Sequence, residues 1–285
     1  ADMIIAATHS DEVNMVTCQV AHSVFSISRK VARLRSQSYL DAIYSDLYRR
    51  DHMPIDVVIS PELEVAEAAL RRLAAPAAFD TEVFMGGKAQ LLGLRIDDDC
   101  PIVHTSLRQL NDLFSTLQVV VLAIRRDGRL FAPEAEDQLY IGDEAYVFAP
   151  VEDIPRTLQV FGKADTKQER VVIIGGGNIG LAVAKSLESR HNRVRVKVIE
   201  RSRICAERAA DALERTIVLN GDGMDITLLH EAGISRADAI LAVTDDDKTN
   251  MLTAVRAKAE GCPFAIALIN DPTLQSLMEP LGIDA

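Results

Sequence analysis

An internal repeat constrains the architecture of this chain more than any other feature. A shift of 236 residues places residues 1–21 on residues 237–257, and ten of the 21 aligned positions are identical. Chance similarity between two amphipathic segments would not preserve the polar identities, which are Thr8, Asp11 and Asn14 against Thr244, Asp247 and Asn250. The chain is therefore expected to contain two copies of one domain type.

The two copies are cut at different points. In the second copy the repeated segment follows a run of strand and helix patterns that begins at Val171, whereas in the first copy it opens the chain. We therefore expect the first copy to lack its front half, including any glycine-rich loop, and the second to stop soon after the helix that follows its fifth strand. The chain is expected to be part of a longer protein.

Strand and helix patterns alternate through the second copy. Apolar runs predict strands at 171–174, 194–200, 216–222, 239–247 and 264–270. Helical spacing predicts helices at 181–190, 204–214, 224–232, 247–260 and 272–281. This alternation predicts an α/β fold, in which each copy is a doubly wound, parallel-sheet Rossmann unit.

A glycine-rich loop joins the first strand of the second copy to its first helix. Gly175, Gly177 and Gly180 satisfy the pattern G-x-G-x-x-G in the strand–turn–helix context that the pattern requires. We expect Gly175 to permit the tight turn, Gly177 to let a pyrophosphate approach the backbone, and Gly180 to let the helix pack closely. A glycine turn that binds nothing is the structural alternative.

The residues around this loop predict a dinucleotide site. The helix start at Asn178 and Ile179 offers free N–H groups to phosphates. Glu200 ends the next strand and is placed to accept hydrogen bonds from the adenosine ribose, which favours NAD over NADP. Arg201 and Arg203 leave NADP open, since an arginine can accommodate a 2′-phosphate.

Further candidates lie at the ends of the third and fourth strands of the second copy. Asp222 and Gly223, in N-G-D-G, and Thr244 and Asp245, in T-D-D-D, fall at the carboxyl edge, where such sheets bind ligands. The alternative for T-D-D-D is a helix N-cap with acids in the first turn.

The first copy offers Thr8 and His9 at the equivalent positions. We interpret His9 as a loop residue near an adenine or ribose rather than as a catalytic base. Residues 29–36 hold four cations on or near a strand. Either this segment is a solvated edge, or Arg33 or Arg35 meets a phosphate.

A small α+β domain is predicted between the copies. Strands are expected within 84–96, 119–128 and 144–150, with a helix near 105–113, a hairpin turn at 125–129 and a further turn at 141–144. Residues 54–73 predict a last strand and a crossover helix of the first copy, and residues 162–170 predict a polar linker. The expected domains are 1–75, 76–163 and 168–285.

Composition excludes several classes of function. The net charge of −11 argues against nucleic acid as the main partner. No His or Cys spacing indicates a metal site, and the four cysteines are expected to be free thiols. No apolar run approaches the roughly 20 residues of a membrane span, and no signal peptide is recognised, so a cytoplasmic protein is expected.

These features together resemble the RCK (also called KTN) family of bacterial Trk-type potassium-uptake regulators. The resemblance covers nearly the whole chain and keeps the domain order. It is carried by ADMIIAATHSDEVNMVTCQVA, RVVIIGGGNIG, TIVLNGDG, LAVTDDDKTNM and IGDEAYVFAP.

The resemblance implies tandem Rossmann units and small domains that assemble as a homo-oligomeric ring beneath a membrane potassium transporter, without inserting into the membrane. It implies NAD(H) as a bound regulator, with ATP or ADP as alternatives. Carried over by position, the contacts are residues 175–180, Glu200, Asp222 and Thr244, and in the first copy Thr8, His9 and Arg33. The missing second small domain and first glycine loop depart from the family pattern.

An NAD-dependent oxidoreductase is the alternative function. Such an enzyme needs a proton donor or acceptor beside the nicotinamide. No tyrosine here has a lysine four residues later, and only His104 and Lys88 stand in the small domain as isolated candidates. The sequence therefore favours a regulator without catalytic residues, ahead of an enzyme and of a purely structural scaffold.

Overall fold

The computed structural model describes residues 1–40, 46–163, 169–190 and 193–285. The chain divides into two compact units, one formed by Ala1–Ala69 with Arg170–Ala285 and the other by Leu70–Glu169. Each of the three predicted domain ranges holds one sheet, although the boundaries themselves stay predictions. Most of the predicted linker, residues 164–168, lies outside the described residues.

The first copy is a three-stranded parallel sheet in the order β1-β2-β3. Its elements are β1 (Met3–Ala6), α1 (Asp11–Ser23), β2 (Arg29–Arg33), α2 (Gln37–Leu40), β3 (Val57–Ile59) and α3 (Pro61–Ala74). The Ser10 side chain caps α1 by accepting a hydrogen bond from the Val13 N–H. The strand and crossover helix predicted within 54–73 are confirmed by β3 and α3.

The alternative of a solvated edge for residues 29–36 is wrong for the strand that they form. β2 lies between β1 and β3, so both of its backbone edges are paired. Lys30, in the middle of this basic run, is only 3% exposed. Its ammonium lies 2.8 Å from Oδ2 of Asp56, which compensates the buried charge.

The small domain is an antiparallel sheet in the order β4-β5-β8-β6-β7 with two helices. Its elements are β4 (Ala78–Phe84), β5 (Ala89–Arg95), α4 (Leu107–Leu113), β6 (Val120–Arg126), β7 (Arg129–Phe131), β8 (Glu144–Pro150) and α5 (Ile154–Val160). The hairpin turn is confirmed, with φ values of 50° at Asp127 and 77° at Gly128. Gly142, with φ of 90°, forms the second predicted turn.

The strand expected within 84–96 begins later than its apolar pattern indicates. Met85, Gly86 and Gly87 have φ values of 55°, 64° and 90°, which strand backbone does not adopt. They form the turn between β4 and β5. The sequence did not predict β4, whose residues are partly acidic, or α5.

The second copy has the predicted doubly wound topology, so the predicted fold class is confirmed. Its elements are β9 (Arg170–Ile174), α6 (Asn178–Arg190), β10 (Arg195–Glu200), α7 (Arg203–Ala212), β11 (Ile217–Asn220), α8 (Ile226–Ala232), β12 (Ala239–Ala242), α9 (Asp247–Ala259), β13 (Phe264–Ala267) and α10 (Pro272–Gln275). All strands are parallel in the order β11-β10-β9-β12-β13. The direction of winding reverses between β9 and β12, which defines the switch point where such sheets bind ligands.

The single helix expected at 272–281 is wrong. α10 ends at Gln275, and a separate 3-10 turn spans Glu279–Leu281. Pro280 has no backbone N–H, so it cannot donate the hydrogen bond to the Ser276 carbonyl that a continuous α-helix would need here.

Candidate functional site

The glycine loop after β9 has no room for a side chain at Gly175 and Gly180 and has open space at Gly177. Gly175 has φ of 103°, and a Cβ there would lie 3.0 Å from the Val243 carbonyl oxygen. A Cβ at Gly180 would lie 1.9 Å from the Gly175 carbonyl oxygen, so α6 can start here only with glycine. A Cβ at Gly177 would meet no atom within 4 Å, so the space above Gly177 is open. This open space is where a pyrophosphate would approach.

The N-terminus of α6 provides donors for an anion. The first α-helical hydrogen bond at this end runs from the Leu181 N–H to the Gly177 carbonyl, at 2.9 Å. Among the described residues, the backbone N–H groups of Gly177, Asn178 and Ile179 have no acceptor. Unsatisfied N–H groups and the positive end of the helix dipole make such a terminus suited to phosphate.

Glu200 is held beside this loop by backbone donors. Its Oε2 accepts from the Gly176 N–H at 2.6 Å, and its Oε1 accepts from the Ser202 N–H at 2.7 Å. Each carboxylate oxygen retains a further lone pair for the hydroxyls of a ribose. The structure therefore fits the adenosine half of a dinucleotide, because the diol acceptor and the phosphate donors lie on adjoining loops.

The loops after β10 and β11 complete this side of the edge. Asp222 is exposed, and its Oδ1 accepts from the Met224 N–H at 2.9 Å, which fixes the turn. A Cβ at Gly223 would lie 2.3 Å from Cγ2 of Ile174, so only glycine allows the turn to lie against the end of β9. Arg201 is exposed at the end of β10. The structure thus places Arg201, Asp222 and Gly223 at the carboxyl edge.

The loop after β12 is held internally. The backbone N–H and the hydroxyl of Thr244 both donate to Asn250 Oδ1, at 2.9 and 2.7 Å. Asn250 Nδ2 donates to the carbonyls of Thr244 and Leu268, at 3.0 and 2.9 Å. We call this pair the second clasp. Because the Thr244 hydroxyl already donates to Asn250, a ligand would meet its remaining lone pair or the neighbouring Asp245, which is exposed.

The capping alternative for T-D-D-D holds for two of its three acids, because Asp247 also lies in the first turn of α9. Asp246 is the N-cap of α9 and accepts from the Thr249 N–H at 2.8 Å. Hydrogen bonds from the Thr249 hydroxyl and backbone, together with the charges of Lys248 and Arg201, lower the pKa of Asp246. Capping by Asp246 leaves the predicted ligand contacts of Thr244 and Asp245 as predictions.

The first copy repeats the clasp. Thr8 N–H and hydroxyl both donate to Asn14 Oδ1 at 2.7 Å, and Asn14 Nδ2 donates to the carbonyls of Thr8 and Arg33 at 3.2 and 2.9 Å. This pair is the first clasp. His9 is exposed on the same loop. Sequence reasoning found these residues by their identity in the repeat but missed the structural role of the two asparagines.

The structure distinguishes the two arginines that were open as phosphate ligands. Arg35 Nε lies 2.7 Å from Glu62 Oε1, so Arg35 is already in an ion pair. Within the described part of the chain, the Arg33 guanidinium has no hydrogen-bond or ion-pair partner, and its Nε is buried. Arg33 is the better candidate for an anion.

No group of three or more His, Cys, Asp or Glu side chains among the described residues is arranged to hold a metal ion. In the same part of the chain, no helix is both long and apolar enough to cross a bilayer. Cys18, Cys100, Cys205 and Cys262 are free thiols. Burial raises the pKa of Cys262 to about 11, which makes it a poor nucleophile.

Comparison with known proteins places these features in one family. The TrkA-N domain model matches residues 1–61 and 171–285, and the TrkA-C domain model matches residues 91–162. The Trk system potassium uptake protein TrkA of Azorhizobium caulinodans is 46% identical over 285 residues. The alignment covers 100% of this chain, which spans 62% of that relative's length. The relative is named as an uptake protein and not as an enzyme, which supports the prediction that this chain is not an enzyme.

Two solved structures share the fold at low sequence identity. A GsuK channel bound to NAD has a TM-score of 0.64 and 21% identity, and the match covers 100% of this chain and 48% of the channel chain. GsuK bound to ADP has a TM-score of 0.53 and 18% identity, with coverage of 100% and 47%. Because it contains two copies of the TrkA-N domain fold with the TrkA-C domain between them, this chain belongs to the TrkA family.

Proposed function

We propose that this protein is a nucleotide-sensing regulatory subunit of a Trk-type potassium uptake system. NAD(H) binds at the glycine loop of the second copy, with ATP or ADP as alternatives, and the bound nucleotide gates a membrane transporter subunit through a conformational change. The protein acts in the cytoplasm, as a homo-oligomeric ring at the inner face of the membrane. One observation carries the nucleotide assignment: Glu200 is fixed beside free N–H groups of α6.

The proposed contacts divide by chemistry. N–H groups at Gly177, Asn178 and Ile179 bind the pyrophosphate, since they have no acceptor among the described residues, lie at the positive end of a helix, and the space that a Cβ of Gly177 would take is open. Glu200 accepts from the adenosine ribose and repels a 2′-phosphate. The remaining contacts are proposed from the loops around the edge: Gly175, Gly180, Arg201, Asp222, Gly223, Thr244 and Asp245.

The family relation supports potassium uptake as the process. A relative named as a Trk system potassium uptake protein aligns with the whole chain, and neighbours of the same fold were solved with NAD and with ADP. A nucleotide changes a regulator only through its difference in affinity between two conformations. The sensor therefore needs two states, and the ligand must bind one of them more tightly.

Calorimetric titration with NADH, NAD⁺, NADPH, ADP and ATP tests the site. We expect Gly177→Val to reduce NADH affinity about 100-fold, because its side chain fills the pyrophosphate space, and Glu200→Ala about 10-fold. Glu207→Ala on the exposed side of α7 is the matched control and should bind normally. Unchanged affinity in both site variants would show that the glycine loop is not the nucleotide site.

Potassium uptake tests the process. A strain lacking its own copy of the gene should regain uptake with the full-length protein, and the Gly177→Val form should lose the nucleotide dependence of that uptake. Turnover of NADH with a defined substrate at ordinary enzyme rates would contradict the proposal that the protein is a regulator. If Gly177→Val restored uptake to the same level and with the same nucleotide dependence as the unchanged protein, transport would not depend on nucleotide binding at this loop.

A further inference from the structure

The acids shared by the repeat extend both clasps to a further segment. In the second copy the Asp247 carboxylate accepts from the backbone N–H groups of Asn270 and Asp271, at 2.9 and 2.8 Å. In the first copy the Asp11 carboxylate accepts from the N–H groups of Arg35 and Ser36, at 2.9 and 2.8 Å. The carboxylate thus ties the segment after β2 to α1 in the first copy, and the segment after β13 to α9 in the second.

The second clasp also touches the glycine loop. The space that a Cβ of Gly175 would fill is bounded by the Val243 carbonyl and the Thr244 nitrogen, at 3.0 and 3.2 Å. The Val243 N–H donates to the Ile174 carbonyl at 2.9 Å, which joins the two loops at the switch point. A continuous set of contacts therefore runs from Gly175 through Thr244 and Asn250 to Leu268.

Asn250 cannot exchange its partners for water. It is fully buried, at 0% exposure, and its side chain makes four hydrogen bonds. A buried polar group that loses its partners costs about 1–3 kcal/mol, so moving one loop alone is unfavourable. The loops after β12 and β13 are therefore constrained to move together.

In the first copy the segment after β2 also contacts a later helix of the chain. Arg35, whose N–H binds Asp11, also forms the ion pair with Glu62 in the first turn of α3. The segment after β2 thus contacts two helices, α1 through Asp11 and α3 through Glu62. In the second copy the equivalent segment is residues 268–271.

We infer that Asn250 and Asp247 are positioning residues that transmit occupancy of the glycine loop to residues 268–271. This inference rests on the proposed nucleotide-sensing function. Nucleotide held by the glycine loop fixes Gly175 and Thr244, and the second clasp then orders the segment after β13. Asn14 and Asp11 occupy the same positions in the first copy and serve as its internal reference.

Hydrogen exchange of the full chain with saturating NADH tests this coupling. We expect peptides covering 173–182 and 268–271 both to exchange about fivefold more slowly with ligand, because local opening is suppressed in each. In Asn250→Ser the 173–182 peptide keeps its protection, whereas the 268–271 peptide changes less than about twofold. Asn14→Ser removes the same group from the first copy and should leave both responses intact.

The outcomes separate the two proposals. Protection at 173–182 without protection at 268–271 in the unchanged protein overturns the coupling and leaves the nucleotide site standing. Equal protection of both peptides in Asn250→Ser also overturns it. No protection and no calorimetric binding with any nucleotide overturns both. Where Asn250→Ser does not fold, Asp247→Ala removes the carboxylate oxygen that accepts from both the Asn270 and the Asp271 N–H groups and must show the same loss at 268–271.

Discussion

The two Rossmann copies share local structure but differ in burial. β1 and α1 are related to β12 and α9 by the 236-residue shift at both ends of each element. Yet Met3 and Ile5 of β1 are 46% and 66% exposed, whereas all four residues of β12 are buried. Local structure is therefore alike in both copies, whereas β12 lies between β9 and β13 and β1 pairs only with β2 among the described strands.

The outer face of α1 shows the same contrast. Val13, Val16 and Val20 are 50%, 55% and 44% exposed and line an apolar groove. At the position of Val20 the second copy has Arg256, whose Nη1 donates to the Met224 carbonyl at 2.9 Å. The second copy keeps an exposed apolar residue, Leu252, at the position of Val16 but has a polar residue with a specific contact, Arg256, at the position of Val20.

The largest expected effect tests whether the glycine loop stabilises the second copy without affecting the first. Gly180→Ala should destabilise that copy by about 3 kcal/mol, because its Cβ would overlap the Gly175 carbonyl oxygen. Hydrogen exchange in α9 should accelerate while exchange in α1 stays unchanged. Gly177→Ala is the control, since its Cβ enters open space. Equal stability of the Gly180→Ala form would refute the steric argument.

A smaller effect compares the clasps directly. Asn250→Ala should cost about 2 kcal/mol of local stability in α9, and Asn14→Ala about 1 kcal/mol in α1. Thr8 is exposed while Thr244 is half-buried, so water can replace lost hydrogen bonds more readily in the first copy. Exchange rates under native conditions give both values. A larger loss in Asn14→Ala would reverse the comparison.

The pH dependence should differ because only the first copy has the Lys30–Asp56 pair. In the register of the sheets, Lys30 pairs with Ile4 as Ala265 pairs with Ile240. Burial raises the pKa of Asp56, but hydrogen bonds from the Lys30 ammonium and N–H and the Lys30 charge outweigh burial and lower it. The stabilisation is present above the ordinary pKa of about 3.9 and is lost as the pH falls through the lower folded value.

Lys30→Met removes that charge while keeping the buried stem. The stability of α1, measured by hydrogen exchange between about pH 5 and 2, should then vary less steeply with pH than in the unchanged protein. The exchange of α9 should keep its own pH profile in both forms. An unchanged slope in α1 would show that the ion pair does not contribute.

The smallest effect concerns the exposed face of α1. Val20→Arg gives the first copy the residue of the second, and we expect its stability to change by less than about 0.5 kcal/mol. Arg256→Val, the reciprocal change, should cost about 1 kcal/mol because the Met224 carbonyl loses its donor. Urea unfolding of both variants measures the difference. Equal effects would mean that the Arg256 contact is not significant.

The sequence predicts what depends on local pattern and spacing. The strands of the second copy, all of its helices but the last, the tight turn at Gly175 and the turn at Asp127 follow from periodicity and from residues that tolerate unusual backbone. Glu200 was found because its spacing from the glycines reflects a fixed unit of fold. These features need no knowledge of distant contacts.

What depends on tertiary proximity was missed or left open. The choice between Arg33 and Arg35 required the position of Glu62, which is 27 residues from Arg35 in sequence. The role of Asn250 required the Leu268 carbonyl, 18 residues away. β4 escaped prediction because Asp80 and Glu82 interrupt its apolar pattern, and a strand with an exposed face tolerates them.

The two backbone hydrogen bonds that fix the Glu200 carboxylate have a kinetic consequence. Because the Gly176 and Ser202 N–H groups orient the carboxylate before any ligand arrives, little rearrangement separates encounter from the bound state. Nucleotides that share an adenosine diphosphate should then associate at similar rates and differ mainly in residence time. The response of the protein to a change in nucleotide concentration would then be limited by the rate of ligand dissociation.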